Sequence, residues 1–209
     1  MNMDVKKLVE TLKLEGINDI KVLEAINNVL RENFVLEWYK DRAYHNEAIL
    51  IVENQTISQP YTVAFMLQEL ELQLGDKVLE IGAGSGWNSA LIQFITKTKV
   101  YTLEFNNKVA EFAKNNLMKN KIQNVELVIK DGNNGYEKEK PYDKIIITAA
   151  CSKIPLDLIK QLKDNGIMLV PVGNLHEQDL LKIIKTKEGY KKFNLGKFVF
   201  VPLKGKYGF

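Results

Sequence analysis

One stretch constrains this chain more than any other: Val78-Leu79-Glu80-Ile81-Gly82-Ala83-Gly84-Ser85-Gly86. A short apolar run passes into glycines at every second position, and helical spacing follows from Asn88 to about Ile95. A glycine turn that leaves a buried strand and enters a helix presents bare backbone to a ligand. Such ligands lie outside the carboxyl ends of the strands of an open α/β sheet. The surrounding pattern predicts that sheet. Val100–Leu103, Val125–Ile129, Ile145–Thr148 and Ile167–Val172 read as strands, and Asn107–Met118 and Pro155–Leu162 as helices between them. This alternation predicts a mostly parallel sheet with helices on both faces. Leu180–Ile184 and Phe198–Leu203 have no helix between them, so they predict an antiparallel edge at the C-terminal end. Upstream, helical spacing covers residues 4–14 and 18–30, and Pro60 opens a helix to about Leu72. Residues 37–57 read as irregular.

Composition limits what such a fold can be for. The 209 residues are 45% hydrophobic, enough for a sizeable core. Charged residues are 26% and the net charge is +3, which argues against general disorder and supplies no basic stripe for nucleic acid. One cysteine cannot form an intrachain disulfide, and no Cys/His cluster has metal spacing. No apolar run approaches the ~20 residues of a membrane helix, and Met1 to Glu10 has no apolar core of a secretory signal. The expectation is a cytoplasmic, monomeric, single-domain protein over residues 1–209, with no metal, membrane or nucleic-acid partner. Within it, 1–75 is a helical segment facing the substrate, 76–175 a cofactor-binding core and 176–209 a β extension.

Details of the loop narrow the ligand. A dinucleotide fingerprint places a glycine three residues after the second one; here that position is Trp87. The spacing is Gly-x-Gly-x-Gly, with an acid, Glu80, two residues before it. That form is similar to S-adenosylmethionine sites, where no pyrophosphate has to be cradled. The next strand ends in Glu104, suited to accept hydrogen bonds from two ribose hydroxyls. The third ends in Asp131-Gly132, where an acid can meet an adenine amine. Taken singly, each has a plainer reading: a tight turn, a surface carboxylate, a loop acid. Consecutive strands ending in a glycine loop, Glu and Asp make a constellation.

Beyond the loop, the chain resembles the protein-L-isoaspartate O-methyltransferases. The resemblance is carried by Gln55-Thr56-Ile57-Ser58-Gln59-Pro60, with Lys21–Ile26 and Arg31–Val35 upstream. Downstream it continues through Asp131-Gly132, Pro141-Tyr142-Asp143, Thr148-Ala149-Ala150, Ile154-Pro155, Pro171-Val172-Gly173 and Val201-Pro202-Leu203. It implies a Rossmann-like methyltransferase fold and S-adenosyl-L-methionine as cofactor. It implies methyl transfer to the free α-carboxylate of L-isoaspartyl residues in damaged proteins, a repair reaction. It assigns Ser58 to catalysis, Gln55, Thr56 and Ile57 to the substrate side, and Gly82, Ala83, Gly84, Glu104, Asp131, Gly132 and Thr148 to the cofactor. A carboxylate is ionised at pH 7, so it needs no strong base to act as a nucleophile. The task is then one of position, and Ser58 can orient the carboxylate by donating a hydrogen bond. Alone, Ser58 reads equally as a helix N-cap ahead of Pro60.

The stretch before the hexapeptide departs from that family. Where the family usually has Asp, two Pro and two Gly, this chain has Asn46, Ala48, Leu50, Val52 and Asn54. Val199 stands where an Arg is usual. A diverged carboxylate methyltransferase with another peptide or small-molecule substrate therefore stays open, as does a catalytically silent S-adenosylmethionine-binding protein. Cys151 reads as a small buried filler, His45 and His176 as loop residues, and Trp38 and Tyr44 as either cleft wall or core.

Overall fold

A computed structural model describes residues 3–209. Two amphipathic helices lead. Helix α1 (Met3–Leu14) buries Val5, Leu8 and Leu12. Helix α2 (Ile20–Asn28) buries Val22, Leu23, Ala25 and Ile26, and Asp19 caps it by accepting from the Lys21 N–H at 2.8 Å. The irregular stretch contains two 3-10 turns, Glu37–Arg42 and Val52–Asn54, and a minimal hairpin, β1 (Ile49–Leu50) and β2 (Thr56–Ile57). Helix α3 (Pro60–Glu69) follows with Pro in its first turn, where a missing N–H costs nothing.

The sheet follows: β3 (Val78–Ile81), α4 (Trp87–Thr96), β4 (Val100–Glu104), α5 (Asn107–Lys119), β5 (Val125–Ile129), β6 (Tyr142–Ile147), α6 (Leu156–Ile159), β7 (Leu162–Gly173), β8 (Gln178–Thr186) and β9 (Gly189–Phe198). Its spatial order is β5-β4-β3-β6-β7-β8-β9. The first five strands run parallel, and β8 and β9 are added antiparallel. From β3 the chain winds outward one way to β5, then returns to the other side of β3 at β6. That reversal is a topological switch point, where open α/β sheets place their ligands. Ile81 pairs with both Leu103 and Ile147, so the carboxyl ends of β3, β4 and β6 finish level there.

The two faces of the sheet are covered unequally. Val78, Val100, Ile146 and Leu169 pack under the longer helices α1 to α5. Leu79, Ile81, Leu103 and Ile145 meet only the short α6 and the loops around Tyr136 and Leu203. Helix 155–162 of the sequence reading shrinks to α6. Gln161, almost fully buried, spends its amide on the Asn134 carbonyl and its oxygen on the Tyr136 N–H, and Leu162 already pairs with Tyr142 in the sheet.

The last strand is also displaced. The sequence predicts it at Phe198–Leu203; it lies at 189–198, after a tight turn at Lys187-Glu188. Strand β9 is largely solvent-exposed, so it carries no alternation of apolar and polar residues. The apolar run that follows is instead a strap across the sheet ends. Ala150 donates to the Val201 carbonyl at 2.8 Å and accepts from the Leu203 N–H at 2.9 Å. Among the described residues, no helix is long and apolar enough to cross a membrane.

Candidate active site

At the switch point lies a cavity of about 670 Å³, within the ~300–1,000 Å³ usual for small-molecule sites. The sequence-derived residues converge on it. Gly82, Ala83 and Gly84 of the loop line it, as do Glu104, Asp131, Gly132 and Thr148 at the strand ends and Gln55, Thr56, Ile57 and Ser58 of the hexapeptide.

The loop works because its glycines take backbone that other residues avoid. Gly82 sits at φ +97°, and a Cβ there would lie 2.6 Å from Thr148 Oγ1. Thr148 donates that hydroxyl to the Gly82 carbonyl at 2.8 Å, which fixes the turn against β6. Gly86, at φ +86°, lets α4 begin against Leu117 and Ala113 of α5.

Two acids hold the loop by different means. Glu104 Oε2 accepts from the Gly84 N–H at 3.2 Å and Oε1 from the Asn106 N–H at 3.0 Å. A carboxylate has about four lone-pair sites, so capacity remains for a pair of hydroxyls. Glu80 is fully buried behind the loop and does not line the cavity. It accepts from Asn88 at 2.7 Å and from the Ser89 hydroxyl, tying β3 to the first turn of α4. Burial pushes its carboxyl up to about 7, against the pull of those hydrogen bonds. Asp131 Oδ1 accepts from the Asn133 N–H at 2.9 Å, and Asn133 in turn accepts from the Tyr207 N–H at 2.8 Å and donates to the Lys204 carbonyl at 2.6 Å. The C-terminal strap is thereby pinned over the cavity. These features fit an adenosine-bearing cofactor: a cradle a Cβ would fill, and acids placed along it.

The segment that carries Ser58 has another architect, Arg31, for which sequence reasoning gave no role. Its guanidinium is buried and donates to the carbonyls of Ala43 (2.7 Å), Glu47 (2.9 Å) and Ser58 (3.0 Å). It also lies over the Trp87 ring at 5.5 Å. Burial pulls its pKa down to about 9, so the group stays charged at neutral pH. Its place at the head of the Arg31–Val35 match to the family was the available signal. Asn46 adds a second tie: its side chain accepts from the Tyr61 N–H at 2.9 Å and donates to Glu15, while its carbonyl accepts from Gln59. Asn46 thus serves the start of α3. The N-cap position belongs to Gln59, without a side-chain cap, so the capping role open to Ser58 is not realised. The Ser58 hydroxyl has no hydrogen-bond partner among the described residues.

Asn54 takes φ +55° where a glycine is usual, a conformation Asn tolerates. Glu53 is also left-handed at φ +56°, and its carboxylate pairs with Lys108 of α5 at 2.9 Å. Trp38 is exposed and Tyr44 packs on the helical core; neither lines the cavity, whereas Trp87 does, buried and bonded to the Val29 carbonyl at 2.9 Å. Cys151 is buried and its thiol is pushed up to about 12, which makes it a neutral filler at pH 7.

Fold, switch-point cavity and glycine loop define the class: an α/β methyltransferase that depends on S-adenosylmethionine. Comparison with known proteins is more specific. The family model described as protein-L-isoaspartate (D-aspartate) O-methyltransferase matches residues 3–208, and the chain belongs to that family. It is 48% identical over 203 residues to the protein-L-isoaspartate O-methyltransferase of Dictyoglomus turgidum, covering 97% of this chain and 92% of the relative. To the protein of the same name from Pyrococcus abyssi it is 44% identical, covering 97% and 95%. A solved protein-L-isoaspartate O-methyltransferase superposes with a TM-score of 0.90 at 29% identity, over 98% of this chain and 67% of that one. A Plasmodium falciparum protein described as a protein-L-isoaspartate O-methyltransferase, solved with S-adenosyl-L-homocysteine, gives 0.85 at 27% identity, over 95% and 97%.

Proposed function

We propose that this protein transfers a methyl group from S-adenosyl-L-methionine to the free α-carboxylate of L-isoaspartyl residues in damaged peptides and proteins. The observation that carries the reading is convergence: Ser58, with its hydroxyl uncommitted, opens on the same cavity as the glycine loop and Glu104. The bound cofactor supplies an electrophilic methyl on a cationic sulfur.

The chain's own residues hold and orient. Gly82 and Gly84 let the ligand approach bare backbone, with Ala83 and Gly132 as close walls. Glu104 accepts hydrogen bonds from ribose hydroxyls, and Asp131 accepts one from the adenine amine. Thr148 braces the loop and contacts the cofactor. Ser58 donates its hydroxyl to the substrate carboxylate, and Gln55, Thr56 and Ile57 wall its approach. The carboxylate is already ionised at neutral pH, so Ser58 neither attacks nor deprotonates. Arg31 acts one step back, as a positioning residue, through the Ser58 carbonyl.

A different carboxylate substrate is the second reading, prompted by the altered loop. The match of the family model over residues 3–208 supports the first. The proposal extends to a cytoplasmic monomer that does not act on nucleic acid, supported by the net charge of +3 and the single buried thiol. Labelled S-adenosylmethionine with matched isoaspartyl and aspartyl peptides tests the reading. Label should enter the isoaspartyl peptide alone. Cofactor binding without transfer to that peptide would refute it.

A further inference from the structure

The cleft does not end at Ser58. Gln59, Thr62 and Val199 line the main cavity and also a shallower neighbouring groove of about 600 Å³. One wall of the groove is α3, where Tyr61 and Phe65 stand one helical turn apart and so share a face. Their rings stack at 5.9 Å, and Phe65 stacks on Phe198 of β9 at 5.6 Å. Leu195 and Gly196 form the other wall, at the point between Asn194 and Lys197 where β9 slips register against β8. Lys197, the cation at the groove, is paired with Glu177 at 3.3 Å and Asp179 at 2.9 Å. The surface on offer is therefore aromatic and largely neutralised.

An isoaspartyl residue reaches the site as part of a peptide, so the flanking chain has to leave the cavity somewhere. The groove shares the cavity's rim. From Pro60 to Phe65 the helix advances about 7.5 Å at ~1.5 Å per residue. An extended peptide covers that in two to three residues at about 3.3 Å each. We propose that the groove is a subsite for the substrate peptide, seating an aromatic side chain two or three residues from the isoaspartyl position. The inference rests on the isoaspartyl reading above and adds a sequence preference to it. Stacked rings favour a further ring over a charge.

The test uses the full chain and isoaspartyl hexapeptides carrying Phe, Gly or Asp two or three residues to either side. A capped isoaspartyl dipeptide, too short for the groove, completes the set. Phe at one of these places should lower KM about five- to ten-fold relative to Gly, the size expected from partial burial of one ring. The dipeptide should behave like the Gly peptide. Leu195→Asp on the edge strand, and Phe65→Leu, which keeps an apolar side chain, should each reduce the Phe advantage to less than about two-fold. Equal KM for Phe and Gly peptides in the wild type overturns the subsite, as does an advantage that survives both substitutions. If no isoaspartyl peptide is methylated at all, the functional reading falls and the subsite with it. Sedimentation at assay concentration covers another occupant. A wild-type dimer that Leu195→Asp splits would give the groove to a second copy and overturn the proposal.

Discussion

The glycine loop after β3 and the segment 43–60 line one cavity but are built differently. The loop is set by its own backbone. Its shape follows from three glycines and from acids at neighbouring strand ends, and Thr148, just past the end of β6, braces it. The segment 43–60 is held by polar side chains instead. Arg31 gathers the carbonyls of Ala43, Glu47 and Ser58, and Asn46 joins Glu15 to the start of α3. The first kind of site is written in a short motif. The second depends on a buried charge that lies outside the motif.

Substitutions on the two sides should therefore fail in different ways. Gly82→Val should have the largest effect, because its first side-chain atom would fall on Thr148 Oγ1. Calorimetry with S-adenosylhomocysteine should show affinity lost by roughly a hundred-fold or more, at about 1.4 kcal/mol per factor of ten. Arg31→Met should break the other side. It leaves three carbonyls without their donor, and chemical denaturation should show a loss of about 2–4 kcal/mol. Peptide KM should rise while homocysteine-product affinity changes little. Equal losses of both affinities would merge the two regions into one.

Glu80→Gln should change how stability depends on pH. Glu80 titrates near 7 in the fold against an ordinary 4.5. The native state thus holds a proton that the unfolded chain has released, so stability is full below pH 4.5 and declines as pH rises to about 7. The slope is worth on the order of 3 kcal/mol. Melting at pH 5 and pH 8 should show a flatter dependence in the Gln variant. An unchanged slope would remove Glu80 as its cause.

How much of this was readable beforehand follows the same division. Strands β3 and β4 and the loop were legible because buried parallel strands read as apolar runs and the turn demands glycine. Strand β9 was not, because exposure on both sides removes alternation, and the apolar run taken for it is a strap held by Ala150. Helix α6 was overextended because nothing local announces that Gln161 turns inward. Ser58 and its neighbours were legible through the Gln55–Pro60 motif, but the residue that anchors them was not. Arg31 lies 27 positions from Ser58, and no periodicity connects the two.

The central claim is that Ser58 acts on the substrate carboxylate from a segment separate from the cofactor cradle. Ser58→Ala tests it most directly, with S-adenosylhomocysteine affinity and single-turnover methylation of an isoaspartyl peptide measured on the same sample. The account predicts affinity within about two-fold of wild type and a rate lower by roughly 10–100-fold, the range for one charge-assisted hydrogen bond. A wild-type rate in the variant, or a rate that falls only in step with cofactor affinity, would contradict it.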